Sequence, residues 1–296
     1  ALPGGLKRKI PQRITIRLLV GLAIRVLLIA FFVFQLQAFF RAELVSDPAT
    51  PIFEDRRGIF LSEGVSEYSR LGFWEMPDPI PYRIRECVLI IEDKRFDAHM
   101  GIDFWALGRA VVNNLEGGDI EGASTIAMQV ARLQYPERRT IFAKLNEMAT
   151  AWWLMVRHGH EKVLRHYLKI APQGNQVYGF AYASRRFFKK PIQDVSWAEA
   201  ALLAALPQSP SAMNVFDYWG FQRAVGRGRL ILRMLFQEQK LSRDEYRIAL
   251  EQLSEMPFQF REARPKNAYH FIFRVIDQFG NTHRGPLTST VRTTLD

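Results

Sequence analysis

Three short stretches carry residue types whose spacing suits group-transfer chemistry. The first, EDKRFDAHMG at residues 92–101, places Glu92 and Asp93 directly after the apolar series CVLII at 87–91. A carboxylate beside that much apolar surface has its charged form disfavoured, which raises its pKa toward general acid or base duty. The alternative is a solvated charge run at a helix end, and these ten residues alone do not choose between the two. The second stretch, GASTIAMQVAR at 122–132, sets small residues before a helix start. Its backbone N–H groups and the hydroxyls of Ser124 and Thr125 are free to meet an anion, and Gln129 and Arg132 lie three apart on one face. The plain alternative is a Ser/Thr cap with an exposed Gln and Arg. The third, RTIFAKLNE at 139–147, holds Arg139 and then Lys144 and Glu147 at i and i+3. That spacing gives either a helical ion pair or a cation and a carboxylate suited to a diphosphate leaving group with a bound divalent ion.

Other chemistries find no support. A single cysteine, Cys87, allows no intramolecular disulfide and sits in an apolar run, where it reads as a small buried hydrophobe. His158-Gly-His160 near His166 suggests metal, but the glycine interrupts the helix and no Cys or acid completes a ligand set. There is no Ser-x-x-Lys and no Lys-Thr-Gly for an acyl-serine site, and no Walker or dinucleotide glycine pattern.

The elements that position these residues begin with an N-terminal anchor. The net charge of +10 would invite a nucleic-acid reading, but residues 1–41 hold seven basic side chains and no acid. The rest of the chain is close to neutral, so no nucleic-acid partner is expected. Residues 18–40, LLVGLAIRVLLIAFFVFQLQAFF, are long and apolar enough to span a bilayer, with Arg25 near enough to the basic end to snorkel. Five basic residues precede the span, so the positive-inside rule makes 1–17 a cytoplasmic tail and puts everything beyond Arg41 outside the cytoplasm. No small-residue cleavage pattern follows, which reads as a retained anchor.

Beyond the anchor, 51–73 reads as a small hairpin region with glycine punctuation, and the character then turns helical. Helices are expected at 82–95, at 104–116 with Asp103 as N-cap, and at 125–134 capped by Ser124 and Thr125. More follow at 140–158, 161–170, 197–206, 217–238 and 242–254, the last with a Ser242/Glu245 capping box. The pattern predicts a mostly α domain behind a small β element.

In this order and spacing the three stretches resemble the glycosyltransferase family 51 domain, the peptidoglycan polymerase of class A penicillin-binding proteins. Its Glu-Asp-x-x-Phe-x-x-His-x-Gly-x-Asp pattern is met by Glu92, Asp93, Phe96, His99, Gly101 and Asp103. Gly122, Ser124, Thr125, Ile126 and Gln129 meet the second pattern, and Arg139, Lys144 and Glu147 the third. MQVARL at 128–133 and Tyr-Leu-x-x-Ala-Pro at 167–172 look most like the 1C type. The family's Tyr-Leu-Asn reads Tyr167-Leu168-Lys169 here, and its Tyr-Phe-Gly reads Phe187-Phe188-Lys189.

The resemblance implies a lysozyme-like, mainly α glycosyltransferase domain over 41–215. A helical extension would follow over 216–296, closing on VRTTLD, which is similar to the junction before a transpeptidase domain. It implies polymerisation of lipid II into β-1,4 glycan with inversion and release of polyprenyl diphosphate, on the outer face of the bacterial inner membrane. Glu92 would be the base. Arg132, Arg139 and Lys144 would hold the diphosphate, with Asp93, Ser124, Thr125 and Gln129 also binding substrate, and Glu147 would polarise the leaving group or hold a divalent cation, Mg or Mn. Its implied partners are lipid II, the growing glycan strand, the membrane and other cell-wall synthesis proteins. The competing reading, raised by Lys169 and Lys189, is an impaired relative that binds lipid-linked glycan or a cell-wall partner. A lysozyme-like hydrolase, which protonates a glycosidic oxygen with a carboxylic acid, gains nothing from Arg139 and Lys144.

Overall fold

The computed structural model describes residues 12–63, 70–115, 124–258, 270–271, 274 and 290–294. The first element, α1 (Gln12–Arg41), contains a stretch from Leu19 to Arg41 that is long and apolar enough to cross a membrane. Most of its side chains, from Leu19 to Phe40, are exposed, and only its end turns inward, where Ala38 and Ala42 are buried. A helix apolar all round, and exposed along residues 22–33, matches a lipid-facing segment.

The β part is more dispersed than one hairpin. Strands β1 (Ile52–Glu54) and β2 (Phe60–Glu63) pair antiparallel, as the glycine-punctuated pattern predicts. The short β3 (Leu71–Gly72) leaves that sheet and pairs parallel with β5 (Val177–Tyr178), which pairs antiparallel with β4 (Pro172–Gly174). Strand β6 (Thr290–Arg292) completes the first sheet by lying parallel to β1.

The helical body is the larger part. Helix α2 (Tyr82–Glu92) buries Ile84, Cys87, Val88, Leu89 and Ile90. It stops at Glu92, short of the expected residue 95, because Asp93 leaves helical geometry (φ −160°, ψ 74°). The Asp93 carboxylate is instead engaged by the next elements, described below. Helix α3 (Phe104–Leu115) starts where predicted, with Asp103 Oδ1 accepting from the N–H groups of Trp105 and Ala106. Its expected end at residue 116 lies outside the described residues.

In α4 (Ile126–Gln134) the cap is Thr125 alone, whose Oγ1 accepts from Met128 N; Ser124 binds Lys144 instead. Helix α5 (Ile141–Ile170) breaks at Gly159, where φ 75° and ψ 170° are not helical. Helix α6 (Phe180–Phe188) was not expected from the pattern: it has Gly179 at its N-cap and no side-chain cap bond.

At the centre stands α7 (Trp197–Ala205), whose nine residues are all buried. Its run AEAALLAA shows why: small side chains around most of the circumference let neighbouring helices approach from several sides. Glu199, the one charge, closes a capping box with Ser196 and meets Lys190 Nζ at 2.8 Å. Helix α8 (Tyr218–Gln237) packs on α7 with the stripe Phe221, Ala224, Val225, Gly228, Ile231, Leu232, and α9 (Arg243–Glu255) closes behind it on Ala249 and Leu253. Helices α2, α4, α5, α7 and α8 thus enclose one core.

Candidate active site

Glu92 is the last helical residue of α2, so its side chain leaves the buried face just where the chain turns. Its side chain is only 11% exposed. Oε2 accepts a 2.6 Å hydrogen bond from Gln129 Nε2 of α4, while Oε1 is buried and has no hydrogen-bond partner. Arg227 of α8 approaches Oε1 to 3.9 Å, which is electrostatic contact and too long for a hydrogen bond. Burial raises the Glu92 pKa above the ordinary carboxylate value, and the Gln129 bond and the charges of Arg227 and Arg132 pull the other way. Close by, the buried Tyr167 hydroxyl has no hydrogen-bond partner. Its pKa is pushed well up, first by burial and then by the Glu92 charge.

The loop after Glu92 is pinned from two sides. Asp93 Oδ2 accepts from the N–H of Ile126, the first residue of α4, at 3.0 Å, and Oδ1 meets His99 Nε2 at 2.9 Å. Thr125 Oγ1 donates to the Gly101 carbonyl at 2.6 Å. Gly101 has φ 85°, and a Cβ there would lie 2.5 Å from the Ala151 carbonyl oxygen of α5, so only glycine permits this approach. Phe96 is buried beneath. Both Asp93 oxygens and the Thr125 hydroxyl are therefore used inside the protein.

A second group lies beside the first. Lys144 Nζ donates to Ser124 Oγ at 2.7 Å and to Glu147 Oε2 at 3.0 Å. Arg132, Arg139, Lys144 and Glu147 line one open cleft of about 650 Å³. A smaller recess of about 220 Å³ is lined by Glu92, Lys94, Arg95, Arg109 and Ser124 among others. Ser124 borders the recess and is bonded to Lys144 of the cleft, so the carboxylate and the cations flank one hydroxyl. Such an arrangement can take a proton on one side and hold an anion on the other.

Each residue singled out from the sequence can now be placed. Glu92 and Gln129 are bonded to each other; Ser124, Lys144 and Glu147 form a chain; Arg132 and Arg139 share the cleft with that chain. Sequence reasoning missed Arg227, which lies in the expected helical extension over 216–296. Its signal was an arginine three residues after Ala224 and four before Ile231, at the edge of the buried stripe of α8. Lys94 and Arg95, in the loop after Glu92, pair with Glu238 at 2.5 Å and Asp103 at 3.4 Å. Lys169 pairs with Glu75, and Lys189 caps α6 in the left-handed region with its Nζ over the Phe60 ring. His158, His160 and His166 each bond a different backbone carbonyl, those of Ala42, His99 and Val45. Among the described residues no group of three or more His, Cys, Asp or Glu could hold a metal ion.

A family model described as Transglycosylase matches residues 64–235, a span that includes Glu92, the whole cation-lined cleft and Arg227. The chain belongs to the transglycosylase family. Among similar proteins, penicillin-binding protein 1A of Neisseria lactamica is 36% identical over 181 residues, covering 60% of this chain and 22% of that protein. The same protein of Neisseria gonorrhoeae is 35% identical over 178 residues, 60% of this chain and 21% of the relative. The chain thus spans about a fifth of the length of these relatives. A putative transglycosylase of Cupriavidus necator is 38% identical over 172 residues, 58% of this chain and 74% of that protein. A crystal structure of penicillin-binding protein 1A from Haemophilus influenzae aligns with a TM-score of 0.42 at 18% identity, over 80% of this chain and 25% of that one.

Proposed function

We propose that this transglycosylase polymerises lipid II, with Glu92 as the general base. The observation that carries the reading is the buried Glu92 carboxylate, held by Gln129 on one oxygen and unbonded on the other, beside a cleft lined by Arg132, Arg138, Arg139 and Lys144. The acceptor's 4-hydroxyl gives its proton to Glu92 Oε1 as its oxygen bonds the donor's anomeric carbon. The bond from that carbon to the diphosphate breaks on the opposite side, so the α-linked donor becomes a β-1,4 link and polyprenyl diphosphate leaves. Lys144, Arg139 and Arg132 receive its charge and Ser124 adds a hydroxyl. Charges fixed in place before the reaction act without reorganising during it.

Gln129 fixes the carboxylate, while Asp93 and Thr125 hold the loop and helix start that carry the site; they support the binding residues from within. A divalent cation suits the position beside Glu147 only as a shared guest. Of the two carboxylates lining the cleft, Glu137 is already bonded to Arg41 and Asn146, so phosphate oxygens and water would complete the shell around Glu147, as is usual for Mg²⁺. Bound there it would offset charge on the leaving diphosphate.

The apolar α1 would be the single membrane span. By the positive-inside rule the basic tail lies in the cytoplasm and the site outside the inner membrane, facing lipid-borne substrate. The 1C-type likeness rests on residues 128–133 and 167–172, and cell-wall synthesis proteins are the partners that go with the family reading. Lys169 and Lys189 are absent from the linings of both recess and cleft, which favours an active enzyme over an impaired one. Incubation of the full chain with labelled lipid II tests this. Glycan polymer is the expected product; tight binding without polymer would replace the proposal with the impaired relative, and shortening of preformed glycan would replace it with a hydrolase.

A further inference from the structure

The break in α5 falls between two histidines whose bonds run to different parts of the molecule. Before the break, α5 grips the end of α1. Trp153 Nε1 donates to Gln35 Oε1 at 3.0 Å, and the Trp153 and Phe39 rings meet edge to face at 5.1 Å. Arg157 donates to the carbonyls of Phe39 and Ala42 and pairs with Glu43, and His158 Nε2 donates to the Ala42 carbonyl at 3.0 Å. Just past the break, His160 Nε2 donates to the His99 carbonyl at 3.0 Å, and its ring meets Phe96 edge to face at 5.3 Å. His99 in turn holds Asp93, the neighbour of Glu92.

The loop 93–101 is therefore held by both halves of α5. Gly101 presses on the Ala151 carbonyl of the first half, and His99 and Phe96 sit on His160 of the second. A change in the angle at Gly159 shears that loop between its two supports. The lever that could change the angle is α1, about 45 Å long at 1.5 Å per residue, with its buried end at Ala42 bonded to His158. A Cβ on Gly159 would meet nothing within 4 Å, so the glycine is required by its φ of +75° and not by crowding.

We propose that His158–Gly159–His160 is a positioning joint that transmits the tilt of α1 to the loop holding Glu92. None of the three is a catalytic residue; they act through His99 and Asp93. The consequence for catalysis rests on Glu92 being the base, whereas the mechanical link does not.

Hydrogen exchange of the full chain in lipid nanodiscs tests the link without reference to activity. The amides of Phe96 and Ala98, bonded to the carbonyls of Asp93 and Arg95, report on the loop. In His158→Ala they exchange about fivefold faster, the loss expected from one hydrogen bond when opening is local, and His158→Gln, which keeps an N–H donor, restores the wild-type rate. Faster exchange confined to residues 39–45, or none, overturns the joint. If His158→Ala also loses protection in the buried α7, Gly159→Ala decides, since its Cβ enters open space and acts through the backbone angle alone. Unchanged exchange at Phe96 and Ala98 in that variant overturns the proposal. In lipid II assays, His158→Ala lowers kcat at unchanged KM; a raised KM at wild-type kcat contradicts the route through Glu92. A wild type that makes no polymer sinks the proposed function and leaves the exchange result to judge the joint.

Discussion

Replacing Arg227 by Met removes the cation facing the open oxygen of Glu92 while keeping an unbranched apolar stem in the buried face of α8. Two unit charges about 4 Å apart interact by roughly 4 kcal/mol at an effective dielectric near 20. Neither side chain is fully dry, at 16% and 11% exposed, and the 3.9 Å approach makes no hydrogen bond. About half of that figure, roughly 2 kcal/mol, is a reasonable share to survive water and relaxation. The sign follows from the balance at Glu92: burial raises its pKa and the Arg227 charge lowers it, so losing Arg227 raises it further. Less carboxylate is then ionised along the acid limb of the pH profile, which moves to higher pH. On that limb kcat/KM for lipid II falls by up to about 30-fold, each 1.36 kcal/mol being tenfold. Because Arg227 does not line the diphosphate cleft, KM stays near the wild-type value. Arg227→Lys keeps a charge and shifts the limb less. An acid limb left in place in Arg227→Met, with the loss confined to KM, would refute the electrostatic role.

Further outcomes follow from the same geometry. Lys144→Ala takes a cation from the cleft and the partner from Ser124 and Glu147; lipid II turnover should fall by about 100-fold or more, as for loss of a transition-state donor, and wild-type rates would remove Lys144 from the diphosphate role. Gly101→Ala sets a methyl 2.5 Å from the Ala151 carbonyl at a positive φ; chemical denaturation should show a loss of about 2–4 kcal/mol, and near-wild-type stability would contradict the close approach. Burial lowers the His166 pKa from 6.5 to about 4. The unfolded chain therefore binds a proton in that window that the folded chain does not, and stability falls as pH drops from 6.5 toward 4. His166→Leu should remove roughly 3 kcal/mol of that dependence, read as a flatter plot of melting temperature against pH; an unchanged slope would show that His166 is not the group.

Glu92 and the Lys144–Glu147 pair were legible because both rest on local facts. One is a carboxylate at the end of an apolar helix, the other an i, i+3 spacing. The helix starts at Asp103, Thr140 and Ser242 were equally local, since short polar side chains accept from the N–H groups two or three residues on. What stayed hidden was long-range. Arg227 reaches Glu92 only because α8 docks on α2 and α7, and nothing in the neighbouring sequence announces that crossing. The end of α2 was misjudged for the same reason: Asp93 is drawn out of the helix by Ile126 N and His99, the first of them far along the chain. Helix α6 lacks a polar cap, and its aromatic run FAYASRRFF obscured it. The pairing of β6 with β1 joins opposite ends of the sequence. Gly159 was visible as a helix break, but the two carbonyls that its histidine neighbours hold were not.

The central claim is that Glu92 takes the acceptor's proton. Its most direct test is release of polyprenyl diphosphate from lipid II by the full chain in proteoliposomes, wild type against Glu92→Gln. Glutamine keeps the shape and can still bond Gln129, so folding and lipid II binding are expected to hold. Release should fall by about 10²–10⁴-fold, the range for losing a general base. Release by Glu92→Gln at the wild-type rate, with equal binding, would contradict the account.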